Sequence, residues 1–221
     1  MSEQNGKIQS LFIDGPAGRL EALLNAGDTT TTHAALVCHP HPLFGGTMHN
    51  KVVYHAAKAL GGFGFPVLRF NFRGAGLSEG THDEGRGEVD DVRAALKWLK
   101  EEYGLPIVFA GFSFGASVGL RASCPYPDVK VLISLGTPVA AEGRQYAYRF
   151  LGECTKPKLL ISGDHDQFGP VPEIERVFGT AAEPKKLVIV ANADHFFDGQ
   201  LPAMRRAIEH WVSEQLGITV A

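Results

Sequence analysis

The pentapeptide Gly111-Phe112-Ser113-Phe114-Gly115 is the stretch of this chain best suited to covalent chemistry. A serine hydroxyl attacks a carbonyl only when a base takes its proton, so the motif sets a search for partners. A Gly-x-Ser-x-Gly match alone is modest in a chain with 26 glycines, where a glycine-rich turn is the plainer reading. Its flanks add weight. Ile107-Val108-Phe109-Ala110 reads as a buried strand, and Phe114-Gly115-Ala116-Ser117-Val118 as a helix start. A strand–turn–helix of this kind holds the serine Oγ proud of a sheet, with glycines and small residues clearing room for the bend. The helix N-terminus behind it aims N–H groups at a developing anion.

His195, in Val190-Ala191-Asn192-Ala193-Asp194-His195-Phe196-Phe197, is the candidate base. It follows the last expected strand and precedes the last helix, which brings it to the carboxyl edge of the sheet. The orienting acid is sought in Ser162-Gly163-Asp164-His165-Asp166. Asp166 lies further into that loop and can turn back towards His195. Asp164, at the strand end, is better placed to bind backbone N–H groups of the loop. Asp194 adjoins His195, and a neighbour rarely reaches the outer ring nitrogen. The chain order is then Ser113, acid, His195.

An acyl-transfer site also needs two donors for the oxyanion. One is the N–H of Phe114. The other should come from Cys38-His39-Pro40-His41-Pro42-Leu43-Phe44-Gly45-Gly46, where the prolines have no N–H. That leaves His41 or Leu43, with His41 favoured by its distance from the strand end. The His39-x-His41 pair invites a metal reading, but strand spacing points the two rings to opposite faces. The loop Asn71–Gly80 has glycines but neither the dinucleotide nor the P-loop pattern, and its Arg73 and Ser78 are expected to pin it. No cofactor and no metal is expected.

The elements that must position these residues follow from hydrophobic runs. Nearly continuous apolar strands are expected at Ala34–His39, Phe65–Phe72, Ile107–Gly111, Val129–Leu135, Lys158–Ser162 and Lys186–Val190. Helices are expected at Asn50–Leu60, Glu84–Tyr103, Phe114–Ser123, Pro172–Phe178 and Pro202–Leu216. The alternation predicts an α/β fold: a mostly parallel sheet flanked by helices. Ile8–Ile13 and Leu20–Leu24, joined through Gly15–Gly18, read as an N-terminal antiparallel hairpin. About twenty residues between Leu135 and Lys158 suffice for a connection with one short helix, not for a cap domain. One domain spanning residues 1–221 is the economical reading.

Composition narrows the partners. Hydrophobic residues make up 44% and the net charge is -3, which gives no sign of nucleic acid or a membrane surface. No leader or membrane-spanning run is apparent. Three cysteines without paired spacing fit a reducing, cytoplasmic setting.

Together, His39–Met48, Arg73–Ser78, Gly111–Gly115, Gly163–Asp166 and Asp194–Phe197 resemble the α/β-hydrolase superfamily. More narrowly, they are similar to compact, lidless hydrolases related to dienelactone hydrolases and serine-peptidase-like esterases. The resemblance implies Ser113 as nucleophile, Asp166 as acid, His195 as base, and Phe114 and His41 as oxyanion donors. Many superfamily members carry His-Gly where this chain has His39-Pro40, and dienelactone hydrolases proper have cysteine at the position of Ser113. The expected activity is that of a carboxylesterase on small, short-chain esters. Peptidase, thioesterase or perhydrolase chemistry shares the same residues. A non-catalytic binding protein of this fold is the alternative from another class.

Overall fold

The computed structural model describes residues 8–141 and 144–220. Eight strands form one sheet. β1 (Ile8–Gly15) and β2 (Gly18–Asn25) pair antiparallel across Pro16-Ala17, giving the expected hairpin. β3 (Ala34–Cys38), β4 (Val67–Phe70), β5 (Ile107–Phe112), β6 (Val129–Leu135), β9 (Lys158–Gly163) and β10 (Lys185–Val190) run parallel to their neighbours. The order is β1-β2-β4-β3-β5-β6-β9-β10, with β2 antiparallel to β4. A separate two-residue pair, β7 (Ala140–Ala141) and β8 (Arg144–Gln145), lies in the connection after β6.

The strands are apolar on both faces because both faces are covered. In β5, Ile107 and Phe109 belong to one core, while Val108, Ala110 and Phe112 belong to the other. This is the two-residue period of a strand sorted between two helical layers. The first core takes Val92, Leu96 and Leu99 from α2 (Gly87–Tyr103) and Val118 and Leu120 from α3 (Phe114–Ser123). The second takes Val52, Val53 and Ala56 from α1 (Lys51–Gly61) and Met204, Ile208 and Val212 from α5 (Leu201–Leu216). α4 (Val171–Thr180) precedes the edge strand β10, which is only half-buried up to Val190. Among the described residues no cap domain covers the carboxyl edge of the sheet.

Local chemistry sets the boundaries. Asn50 caps α1, its Oδ1 accepting from Val52 N at 2.9 Å. α2 begins at Gly87 and not at Glu84. Glu84 and Gly85 have φ of 53° and 81°, outside the helical region. The buried Glu88 carboxylate accepts from the N–H groups of Asp83 and Gly85, each at 2.7 Å, and holds that turn open. β4 is shorter than Phe65–Phe72, although both of those phenylalanines are buried. Between β6 and β9 the chain makes a 3-10 turn at Arg149–Gly152 and the β7–β8 pair, where one short helix was expected.

Candidate active site

Ser113 occupies the turn between β5 and α3 with φ 54° and ψ −121°, a conformation costing about 1–3 kcal/mol in a non-glycine residue. Its backbone is held there: its N–H donates to Leu135 O at 2.9 Å, and its carbonyl accepts from Ala116 N at 2.9 Å. The two motif glycines are required by crowding. A Cβ on Gly115 would lie 2.3 Å from His39 O, and one on Gly111 would lie 2.5 Å from Gly115 O. The bend therefore wedges the start of α3 against the end of β3 and lifts Ser113 out of the sheet.

Three loops meet over it. His195, on the loop after β10, places Nε2 3.0 Å from Ser113 Oγ. Its Nδ1 lies 2.9 Å from both carboxylate oxygens of Asp166, on the loop after β9. Both His195 and Asp166 are buried. Asp166 Oδ1 also accepts from Phe168 N at 2.9 Å and Gly169 N at 3.2 Å, which fixes the carboxylate independently of the histidine. The imidazole packs among Phe112, Phe168 and Phe196, with centroid distances of 5.0, 4.7 and 5.3 Å. Gly136 (φ 51°) leaves it room, since a Cβ there would approach His195 Cε1 to 3.1 Å.

The other two aspartates hold the loops. Asp164 accepts from Ala193 N at 3.2 Å, lacing the β9 loop to the β10 loop. Its carboxyl is held below the usual range, first by a hydrogen bond from the Asn192 backbone and then by Ala193. Asp194 turns away from the imidazole and accepts from Phe196 N and Asp198 N, both at 3.0 Å.

The His-Pro-His-Pro loop forms the facing wall. His39 is fully buried and neutral: Nδ1 donates to Pro40 O at 2.6 Å, and Nε2 accepts from Phe72 N at 2.9 Å. Burial lowers its pKa to about 3. His41 sits over Phe114 with ring centroids 4.7 Å apart, and it lines the same cavity as Ser113. Leu43 is exposed in a 3-10 turn, and its N–H donates to His41 Nδ1 at 3.3 Å. Gly46 closes the loop, its N–H bonding His41 O at 3.0 Å. A Cβ on Gly46 would strike Pro40 O at 2.2 Å. Among the described residues no group of three or more His, Cys, Asp or Glu side chains is arranged to hold a metal.

A cavity of about 110 Å³ opens over Ser113 and His195, walled by Phe44, Tyr146, Phe168 and Phe196. Tyr146 and Phe168 carry no sequence signal for this role, because they come from loops without periodicity. His82 was also not foreseen. It lies beside His41 and Phe114 with centroid distances of 4.8 and 5.5 Å, and its Nδ1 is 2.9 Å from buried Glu88.

The loop after β4 behaves as its residues suggest. Arg73 makes a bidentate pair with buried Asp91 of α2, with Nη2–Oδ1 at 2.7 Å and Nε–Oδ2 at 3.0 Å. Ser78 donates to Asn71 O at 2.6 Å.

Known proteins share this fold over most of its length. A serine hydrolase homologue from Coxiella burnetii superposes with TM-score 0.82 at 37% identity, covering 90% of this chain and 95% of that one. A Xanthomonas campestris protein described as an a/b serine hydrolase without lid gives TM-score 0.82 at 35% identity, with 94% of each chain covered. An uncharacterised protein of Rickettsia prowazekii is 34% identical over 212 residues, 93% of this chain and 89% of its own length. The profile of the alpha/beta hydrolase domain family matches residues 34–211, from β3 into α5. With that match spanning all six parallel strands, the Ser113 turn and all three loops, the chain belongs to the alpha/beta hydrolase family.

Proposed function

We propose that this hydrolase is a carboxylesterase acting on esters of short acyl groups, with Ser113 as nucleophile, His195 as base and Asp166 as orienting acid. The observation that carries the reading is the continuous line from Asp166 through His195 to Ser113, at 2.9 and 3.0 Å, opening into the aromatic-walled cavity. Asp166 bonds Nδ1–H, so the lone pair of Nε2 faces Ser113 Oγ and takes its proton as Oγ attacks the ester carbon. The carbonyl oxygen, now an anion, is received by the N–H of Phe114 at the start of α3 and by the N–H of His41. The protonated His195 then gives its proton to the departing alkoxide. Water, activated by the same nitrogen, clears the acyl-enzyme.

The chain-length reading follows from the space. A cavity of about 110 Å³ is below the roughly 300–1,000 Å³ of drug-sized sites, and among the described residues no cap domain builds a tunnel above it. Exposed Phe44 and Phe196 at the rim offer apolar contact to a short chain only. Turnover of p-nitrophenyl acetate, butyrate and palmitate is the test. The expected result is kcat/KM for acetate or butyrate at least tenfold above palmitate. A preference for palmitate would sink the proposal.

A further inference from the structure

Cys124 and Cys154 are thirty positions apart in sequence and come together at the far end of α3 from Ser113. Cys124 follows the last residue of α3, and Cys154 follows the 3-10 turn at Arg149–Gly152. Cys154 is buried in the first core and Cys124 packs partly buried against it. Both remain free thiols. A cavity of about 380 Å³ reaches the pair, lined also by Arg121, Phe150 and Glu153.

The surroundings are cationic. Lys156 Nζ donates to Ser123 O at 2.9 Å and also to Tyr126 O, and Lys158 Nζ donates to Ala182 O at 2.6 Å. Glu153 is the acid at the rim. The neighbouring Cys124 side chain, with the Lys156 backbone N–H and both ammonium groups, draws Cys154 down to about 6. The Cys154 side chain and burial push Cys124 up. One thiol is thus prepared as a nucleophile and the other as its resolving partner. Cys38 differs: it is fully buried within β3, and burial raises its thiol.

We propose that Cys124 and Cys154 are a modification site, a dithiol that hydroperoxides convert to an intrachain disulfide. The Cys154 thiolate attacks a peroxide oxygen, the O–O bond breaks, and the leaving oxygen departs as water after taking a proton, leaving a sulfenic acid. Cys124 sulfur then attacks Cys154 sulfur. Its proton goes with the expelled oxygen as a second water, and the S–S bond forms. Two thiols are oxidised by two electrons, and one hydrogen peroxide is reduced to two waters. The bond would tie the end of the helix that carries Ser113 to the segment leading into β9. This dithiol chemistry is independent of the esterase reading.

The test is intact-mass and peptide analysis of the full chain after treatment with hydrogen peroxide at pH 7. The expected result is a loss of about 2 Da, reversed by dithiothreitol. A tryptic species joining residues 122–130 to 150–158 should accompany it. Native reduced protein should also bind one equivalent of phenylarsine oxide, which needs two neighbouring thiols. Cys124→Ser should stop at a dimedone-trappable sulfenic acid on Cys154, and Cys154→Ser should react at least tenfold more slowly. No mass loss, a crosslink through Cys38 or between chains, or no arsenical adduct on the wild-type protein would overturn the proposal.

Discussion

Three N–H groups converge on the Asp166 carboxylate: His195 Nδ1, Phe168 N and Gly169 N. Its oxygens are therefore committed before any substrate arrives, and the imidazole tautomer follows from them. In Asp166→Asn the amide can donate to Nδ1, which moves the ring proton to Nε2 and removes the lone pair facing Ser113. The expected loss is about 10³–10⁴-fold in kcat, with the melting temperature nearly unchanged. Asp164→Asn keeps an oxygen for Ala193 N, so kcat should stay within about tenfold of wild type. Steady-state rates on p-nitrophenyl butyrate for the two variants check this. Equal losses would contradict the assignment of the acid.

The β5–turn–α3 unit shows how an element sets a serine on a sharp bend. Gly115 lets α3 start against β3, and alanine there must push its Cβ into the His39 carbonyl at 2.3 Å. Gly115→Ala should cost about 2–4 kcal/mol, although alanine favours a helix by up to about 1 kcal/mol. Gly179, in α4, supplies the contrast, since a Cβ added there would meet nothing within 4 Å. Gly179→Ala should be neutral or stabilising by up to about 1 kcal/mol. Urea midpoints measure both, and a neutral Gly115→Ala would contradict the close approach. This unit was legible because its strand, glycines and helix lie in one continuous segment. The loops of Asp166 and His195 were legible because each follows a strand of unbroken apolar residues, which sends it to the same sheet edge. Periodicity could not find the start of α2, because no apolar residue between Leu77 and Val89 marks it and Glu88 ties Asp83 and Gly85 into a left-handed turn. Nor could it find Tyr146, Phe168 or the Cys124–Cys154 pair. Those contacts join segments far apart in sequence, and nothing local marks them.

At the scale of the whole molecule, the buried polar groups under the site make folding sensitive to acid. His39 has an ordinary pKa of 6.5 in the unfolded chain and about 3 in the folded one, chiefly through burial. The folded state excludes the proton, so its contribution is fully present above pH 6.5 and is lost as pH falls from 6.5 towards 3. By pH 4.5 the loss should reach about 2–3 kcal/mol from this residue. The His39 ring resonances should accordingly stay flat from pH 8 to 5, and a transition near 6.5 would contradict the buried, neutral assignment. The fold's other consequence is access. With no cap domain among the described residues over the carboxyl edge, Ser113 is partly exposed while His195 and Asp166 are buried beneath the rim. A serine activated as we propose is open there to small phosphonylating reagents. Intact-mass analysis after reaction with a fluorophosphonate is therefore the most direct test of the nucleophile. The expected result is one adduct per chain on the peptide holding Ser113, none on Ser113→Ala, and at least a hundredfold slower labelling of His195→Ala. An unlabelled wild type, or equal labelling of Ser113→Ala, would contradict it.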